Sequence, residues 1–502
     1  MTRISTGAFL LMAMVACLAA GPAQHYRWRD DGLFTSMDVE VSGTVEFNAN
    51  DSDVQSISGD GHFRMEHWYA GKTRTYVVRP GSNGPERIYT IDGVQKAFDA
   101  DAKAWLARVL PEVIRESGIG APERVKRILR QQGAGGVLTE IGKINSDHSR
   151  RTYIENLLAF GNLNTEDLRE SMRLGRKISS DGEKAALMIS SAPRYQNAAV
   201  RESFFDTVDS IDSDGEHRHV LGAVLDRYGS DRATLALALR SAKRISSDGE
   251  KAAVLEQAAD FHLSDDISRS NFFHAADSIS SDGEHQRALS AAIKKNGSDK
   301  DILVRSLRSA SGISSDGEKR AVLEVAVDFY VDDPVVRRAF FDAAATINSD
   351  GEHQHVLTTL LKRGNWNPET LREIAKSAAR ISSDGEKAMV LSALAERGLK
   401  DSTVAEALVS AANSISSDGE HKKVLMTALN SGPLGRESVV LIVRSAEKIS
   451  SDGEKAQVMS RVAEKYSGDS EIVAALRSAA RSISSDGEYR RVMAALDHSP
   501  SF

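Results

Sequence analysis

The stretch that decides the fold is Ile-Ser-Ser-Asp-Gly-Glu-Lys at residues 313–319. This heptamer, or a near variant, recurs along the chain every 34 residues, with a single interval of 33. Its copies begin at Ile178, Ile211, Ile245, Ile279, Ile313, Ile347, Ile381, Ile415, Ile449 and Ile483, and a degenerate copy begins at Ile144. Self-similarity at a fixed period of about 20 to 50 residues is the sequence signature of a stacked repeat protein. We call the heptamer the motif, and the segment that it opens a repeat.

Each repeat predicts two helices, A and B, as the copy at 313 illustrates. Ser315 and Glu318 match the capping box, in which the Ser hydroxyl accepts from the Glu amide and the Glu carboxylate accepts from the Ser amide. Helix A follows, with apolar residues at helical spacing: Val322, Val325, Ala326 and Phe329. Helix B begins near Pro334, which suits a first helical turn, and its apolar residues are Val336, Phe340, Ala344 and Ile347. The serines predicted to cap helix A, in a structural role, are Ser180, Ser213, Ser247, Ser281, Ser315, Ser349, Ser383, Ser417, Ser451 and Ser485.

A lone helical hairpin cannot bury its apolar faces, so neighbouring repeats must stack. A length of 502 residues would suit about three globular domains, but the repeat predicts one long array instead. We predict a mostly α fold: a right-handed-type α-solenoid of about ten 34-residue helical hairpins, preceded by a small antiparallel β domain. The predicted segments are an export signal at 1–23, a β-rich head at 24–98, a helical connector at 99–143 and the solenoid at 144–502.

The head is predicted from alternating apolar and polar residues, as in Met37-Asp38-Val39-Glu40-Val41, which is typical of a half-buried strand. Short turns at 59–61 and 70–72 separate such runs, and four or five strands form an antiparallel meander. In the connector, Asp99 is a predicted cap of a helix that is interrupted near Pro111. A second helix opens at Pro122, and the basic cluster on it, Arg124, Lys126, Arg127 and Arg130, indicates a solvated face rather than a phosphate site.

Residues 1–23 have a basic start, an apolar run and small residues, which is the form of a bacterial-type export signal. The apolar run is shorter than the roughly 20 residues that a membrane span needs. The stretch Met-Val-Ala-Cys at 14–17 resembles a lipobox, with Met where Leu is usual. Three outcomes stay open: lipid attachment at Cys17, cleavage after Ala20 or Ala23, and retention as a signal anchor. Cys17 is the one cysteine, so the residues after it offer no disulfide or thiolate.

The recurring acidic residues raise the question of calcium, because Asp212-Ser213-Asp214-Gly215 resembles the start of an EF-hand loop. That loop needs a bidentate Glu six residues after its Gly, whereas here Glu follows the Gly at once. Capping accounts for the motif without a metal. No nucleophile elbow, P-loop or dinucleotide fingerprint occurs in the sequence, so we predict no catalytic residues, no metal and no cofactor. The net charge of −7 argues against a nucleic-acid partner.

The seventh residue of the motif alternates, which makes the true period a pair of repeats, near 68 residues. Two interpretations of the histidines stay open: a stripe that charges below the ordinary His pKa of about 6.5, or a solvated edge preserved by duplication. Histidines two repeats apart, on the order of 20 Å at ordinary helix packing distances, cannot share a metal ion. In chain order the residues are Lys184, His217, Lys251, His285, Lys319, His353, Lys387, His421, Lys455 and Tyr489.

The repeat has the length of a tetratricopeptide but lacks that family's aromatic pattern, and it is similar instead to a HEAT-like α-solenoid. Together, the head, Trp105-Leu106 and the Ser-Asp motifs resemble an uncharacterised bacterial extracytoplasmic repeat region. That region is associated with membrane metallopeptidases of the β-lactam-sensor type. The resemblance implies no activity here, because the His-Glu-x-x-His signature of the peptidase is missing from the sequence.

Three functions follow as hypotheses. The first is a non-enzymatic extracytoplasmic scaffold, periplasmic or secreted, that binds a protein or peptide and that a signal anchor or lipid could tether to the envelope. The second is a sensor or regulatory accessory of a membrane peptidase. The third is a hydrolase with a site where the head meets the array, around Asp147 and His148.

Overall fold

The computed structural model describes residues 26–31, 35–261, 263–397 and 399–497 of the chain. The predicted export signal and Cys17 lie outside these residues. The described residues form an antiparallel β domain followed by 23 α-helices, which confirms the predicted fold class. The chain divides into two compact units, an N-terminal unit of residues 1–210 and a C-terminal unit of residues 211–502.

The β domain has eight strands, more than the four or five predicted. They are β1 (Tyr26–Asp31), β2 (Thr35–Ser42), β3 (Val45–Phe47), β4 (Val54–Ile57), β5 (His62–Tyr69), β6 (Lys72–Gly81), β7 (Gly84–Ile91) and β8 (Val94–Lys96). Six strands form one antiparallel sheet in the order β1-β2-β5-β6-β7-β8, and β3 pairs with β4 in a separate hairpin. This hairpin interrupts the predicted meander between β2 and β5.

Helix α1 (Ala100–Ser117) packs on this sheet and runs unbroken through Pro111, so the predicted interruption is wrong. A proline inside a helix costs about 3 kcal/mol. Leu110, Val113 and Ile114 beside it are buried in the core of the β domain, and each such side chain contributes roughly 1.5–3 kcal/mol. Burial therefore outweighs the lost hydrogen bond. The cap at Asp99 is confirmed, because its carboxylate accepts from the Ala102 amide at 3.0 Å.

The remaining helices alternate between A and B, odd numbers from α3 being helix A and even numbers from α4 helix B. In the N-terminal unit they are α2 (Ala121–Ile141), α3 (Asp147–Phe160), α4 (Thr165–Gly175), α5 (Asp181–Ser191) and α6 (Ala198–Val208), with a 3-10 turn at Ala192–Tyr195. None of the described helices is long and apolar enough to cross a membrane.

The C-terminal unit continues the same alternation. Its helices are α7 (Asp214–Tyr228), α8 (Arg232–Ala242), α9 (Asp248–Ala259), α10 (Asp266–Ala276), α11 (Asp282–Asn296), α12 (Lys300–Ala310), α13 (Asp316–Val327), α14 (Pro334–Ala344), α15 (Asp350–Arg363), α16 (Pro368–Ala378), α17 (Asp384–Glu396), α18 (Ser402–Ala412), α19 (Asp418–Asn430), α20 (Arg436–Ala446), α21 (Asp452–Tyr466), α22 (Ser470–Ala480) and α23 (Asp486–Asp497).

Within each unit, helix A packs on helix A and helix B on helix B of the next repeat. The isoleucine that opens each motif is at most 6% exposed, so it belongs to the core in every copy. In the repeat at 313, all four apolar residues predicted for helix B are buried. In helix A, Val322 and Ala326 are buried as predicted, but Val325 and Phe329 are half-buried, and Leu323 and Val327 complete the core.

The motif serines cap helix A, but through only half of the predicted capping box. Ser315 Oγ accepts from the Glu318 amide at 3.4 Å, and seven of the other predicted caps make the same long bond at 3.4–3.5 Å. Ser281 and Ser383 make none. The other half of the predicted box, a bond from the Ser315 amide to the Glu318 carboxylate, is wrong. This amide donates instead to Asp282 Oδ2 of the preceding repeat, at 2.7 Å.

This link between repeats recurs, and we call it the aspartate rung. The Asp of one motif accepts from two consecutive backbone amides, at the second and third positions of the next motif. The distances are 2.7–3.0 Å, shorter than those of the serine caps. The rung residues are Asp147, Asp214, Asp248, Asp282, Asp316, Asp350, Asp384, Asp418 and Asp452.

We expect the rung to hold neighbouring repeats together, and Asp350→Ala tests this. The variant leaves the Ser382 and Ser383 amides without their acceptors, and a hydrogen bond to a charged group contributes about 1.5–3 kcal/mol. Amide hydrogen exchange at these two residues should accelerate and the urea midpoint should fall. The matched control is Asp342→Ala, whose carboxylate is 72% exposed and lies 3.6 Å from Arg338. Equal protection of Ser382 and Ser383 in both variants would contradict the role of the rung.

Candidate functional site: the buried polar row and the helix-B rim

The histidines and lysines at the seventh motif position lie inside the array, so the interpretation of the histidines as a solvated edge is wrong, whereas Tyr489 of the last motif is 36% exposed. The four histidines, His217, His285, His353 and His421, are 2–6% exposed, and the five lysines, Lys184, Lys251, Lys319, Lys387 and Lys455, are 3–5% exposed. The residue stands in the first turn of helix A, on the side that faces helix B of its own repeat. Polar groups that are buried in this way need partners. We call these nine residues the buried polar row.

Each histidine is paired with a serine on the following helix B. The distances from Nε2 to the serine Oγ are 2.8 Å for His217 and Ser241, 2.9 Å for His285 and Ser309, and 2.8 Å for both His353–Ser377 and His421–Ser445. Burial lowers the pKa of His285 and His421, and it lowers the pKa of His353 to about 4. These three rings are therefore neutral near pH 7.

Each lysine instead reaches a backbone carbonyl just after helix B. Lys319 Nζ donates to Thr346 O at 2.8 Å, and the other four lysines reach the equivalent carbonyls at 2.7–3.3 Å. Carbonyls at a helix C-terminus lack intrahelical partners, and they favour a cation. The ammonium therefore satisfies a group that would otherwise be left without a donor.

A signal in the sequence distinguishes the two types of repeat. Every paired histidine has Ser 24 residues later, at Ser241, Ser309, Ser377 and Ser445. Four of the five lysines have alanine there, namely Ala275, Ala343, Ala411 and Ala479. In the 33-residue repeat of Lys184 the equivalent residue is Thr207, whose hydroxyl donates to Ser203 O of its own helix at 3.0 Å. The alternation of His and Lys is thus accompanied by an alternation of the residues that they contact. This correlation indicates packing, and it can be read from the sequence alone.

Two of these serines are not candidate nucleophiles. The Ser309 hydroxyl donates to Asp277, and the Ser445 hydroxyl donates to Asn413 Oδ1 at 2.8 Å. A hydroxyl has one proton, so the histidine Nε2 must be the donor in its bond to the same serine. A general base has to accept the nucleophile's proton, and a nitrogen that is already protonated cannot do so.

The residues of the hydrolase hypothesis lie at the first rung. Asp147 Oδ2 accepts from the Ser179 and Ser180 amides at 3.0 and 2.8 Å. The half-exposed His148 places Nδ1 3.4 Å from Glu183 Oε1. The Asp147 carboxylate is thus bonded to the next motif, as in the other rungs, and no bond between Asp147 and His148 is part of this arrangement.

The prediction that the basic cluster on α2 is a solvated face is wrong for Arg124. Arg124 is buried and donates to Asp51 Oδ2 at 2.7 Å, Glu140 Oε1 at 2.8 Å and the Tyr153 hydroxyl at 3.0 Å, while Arg127 bonds the same Asp51. Burial would raise the pKa of Glu140, but Arg115 and Arg124 bring it down to about 2. This network ties a loop of the β domain to α2 and α3.

Among the described residues, no group of three or more His, Cys, Asp or Glu side chains could hold a metal ion. The EF-hand-like copy fits this description, because Asp214 is a rung residue that accepts from the Ser246 and Ser247 amides at 2.9 and 2.7 Å. Backbone amides, rather than a cation, are the partners of that carboxylate.

Exposed charge is concentrated where the B helices end. In the last turn of α8 to α22, or within two residues after it, lie three exposed carboxylates, Asp277, Asp342 and Glu447. The same positions hold ten exposed cations: Arg240, Lys243, Arg244, Arg308, Lys376, Arg380, Arg444, Lys448, Arg477 and Arg481. We call this set the helix-B rim. Its excess of cations is opposite in sign to the chain's net charge of −7.

A cavity of about 600 Å³ opens at the rim between α10 and α12. Its lining includes Phe273, His274, Arg305, Arg308 and Gly312. Arg305 is paired with Asp301 at 2.8 Å, whereas Arg308 forms no ion pair with any described residue. Asp277 and Asp301 also line the cavity, which is therefore a mainly polar site that contains the guanidinium of Arg308.

No protein-family model matches the chain, and no curated protein matches it. Among solved structures, one similar chain is from the crystal structure of the Chs5-Bch1 exomer cargo adaptor complex. It is 9% identical, with a TM-score of 0.16, and the alignment covers 89% of this chain and 84% of that chain. Similarity at this level carries no argument about fold or function.

A double-mutant cycle tests the pairing rule of the buried polar row. Lys319→His should be strongly destabilising, because it leaves Thr346 O unpaired and places the imidazole against Ala343. Adding Ala343→Ser supplies the partner that the other histidines have, so the double variant should regain stability. We expect a coupling energy of about 0.5–3 kcal/mol in urea unfolding. Additive effects of the two substitutions would show that the alternation does not arise from this contact.

Proposed function

We propose that the protein is a non-enzymatic extracytoplasmic scaffold that binds a protein partner along the helix-B rim. The observation that carries this proposal is the row of exposed cations at the ends of every second B helix, α8, α12, α16 and α20, with a further pair at the end of α22. Among the described residues of the array, the rung aspartates accept from backbone amides and the buried histidines and lysines are paired inside the fold, so these motif residues have structural roles.

The rim favours an acidic, extended segment of the partner. Helix dipoles favour cations at helix C-termini, and this accounts for part of the row. It does not account for Arg308 and Arg444, which form no ion pairs with the described residues. Each of these two arginines stands two repeats away from Lys376. Two repeats separate these cations by about 20 Å, a distance that roughly six extended residues span. The segment would thus carry acidic residues about six apart.

The location outside the cytoplasm is proposed from residues 1–23, whose pattern is that of an export signal. Lipid attachment at Cys17 or a retained signal anchor would hold the scaffold at a membrane. A sensor accessory of a membrane peptidase would have the same binding function, with the peptidase as its partner. The identity of the bound protein therefore distinguishes the accessory from a freestanding scaffold.

The experiment is site-specific photo-crosslinking in the producing cell, with the probe at Ser410 on the rim or at Met389, which is 52% exposed on helix A. We expect one dominant crosslinked protein from Ser410 and none from Met389. Arg308→Glu with Arg444→Glu should abolish that product, and higher salt should weaken it. The matched control is Lys423→Glu, an exposed cation of helix A.

Three outcomes would contradict the proposal. Crosslinking that is equal at the two probe positions would remove the rim as the binding surface. A crosslinked product sensitive to nuclease and not to protease would assign the rim to nucleic acid. Hydrolysis of a generic substrate by the purified protein, lost in His148→Ala, would support the enzymatic hypothesis instead.

A further inference from the structure

The buried histidines differ in a neighbour just after the preceding helix B. Eight residues before the histidine stands Asp277 for His285, Ala345 for His353 and Asn413 for His421. Asp277 and Asn413 accept from the serine that pairs with the histidine, and Asp277 Oδ1 lies 3.9 Å from His285 Nε2. Ala345 offers neither a charge nor an acceptor.

The rung carboxylates around His285 and His353 are matched. Each ring faces the rung Asp of its own motif and that of the preceding one: Asp282 and Asp248 for His285, and Asp350 and Asp316 for His353. The difference lies at the end of helix B, where His285 faces Asp277 and His353 faces Arg380. The cavity beside His285 also holds His274, Asp301, Arg305 and Arg308.

His421 is intermediate. It faces the rung residues Asp418 and Asp384, as the other two rings face theirs, together with Lys448 after α20. Its serine donates to the neutral amide of Asn413. The three sites thus form a series with a carboxylate, an amide and a methyl group at one position.

We propose that acid loosens the array at its histidine-type repeats alone, and that the residue eight positions before each histidine sets the pH at which that repeat responds. A buried ring that gains a proton places a charge inside the contact between helix A and helix B. An opposite charge within about 4–6 Å offsets this cost, and a nearby cation adds to it. His285 therefore charges at a higher pH than His353.

The sign follows from linkage. The folded-state pKa of these histidines lies below the unfolded value of about 6.5, so the unfolded chain binds more protons. Their contribution to stability is complete above about pH 6.5, and it is lost as the pH falls from there towards the folded-state value, which is about 4 at His353.

The test is an NMR titration of the histidine rings in the full-length protein and in two variants. In each variant, the residue eight positions before a histidine is replaced. Ala345→Asp should raise the titration midpoint of His353 by about one pH unit or more, and Asp277→Ala should lower that of His285. Hydrogen exchange on α16 (Pro368–Ala378), corrected for intrinsic rates, should accelerate between pH 7 and pH 5 more than exchange on α14.

The two variants act on different repeats, so a folding failure in one leaves the other as the test. Equal midpoints for His285 and His353 in the unmodified protein would overturn the proposal. It would also be overturned if the midpoints did not move in the folded variants, or if acid raised exchange equally in histidine-type and lysine-type repeats. None of these measurements depends on a partner, so they are separate from the crosslinking outcome.

Discussion

The structure depends on the aspartate rung. One carboxylate accepts from two consecutive amides of the next motif, which lie before helix A where no intrahelical acceptor is available. The serine caps at 3.4–3.5 Å are longer and act within a single repeat. The rung is the shorter bond and it acts between repeats, so it fixes the separation and register of adjacent A helices. The positions of the B helices and of the buried polar row follow from that register.

The buried polar row shows two solutions to one steric problem. A polar side chain in the first turn of helix A points at helix B, and it must find a partner there. Histidine pairs with a serine hydroxyl in the last turn of helix B, while the longer lysine of the repeat at 313 passes Ala343 and reaches a carbonyl beyond the helix end. An alanine in place of the serine of a histidine-type repeat would leave the histidine Nε2 unpaired. The two-repeat period is therefore fixed by packing as well as by duplication.

The sequence predicted the period, the helix pairs and most of the hydrophobic core, because isoleucines and capping residues at a constant spacing carry that information locally. It did not predict where the seventh residue lies, since a charged residue in a first helical turn is usually solvated. Only the residue 24 positions later reveals the burial. The surroundings of Arg124 were unreadable, because Asp51 is 73 residues away in a loop of the β domain. The rim was in principle visible, but aligning the ends of the B helices required the helix bounds.

The rung also implies an order of folding as the chain emerges from a ribosome or an export channel. The amides that each rung carboxylate binds lie 32 and 33 residues further along, about 100 Å of extended chain, so the rung forms only after they have emerged. A helical hairpin can form before that point, but its stacking is incomplete until the next motif has been delivered. Every newly completed repeat thus closes the one before it, and the structure grows from the N-terminus by one closure at a time. A pause in delivery would expose no more than one unfinished interface, which limits the surface available for aggregation.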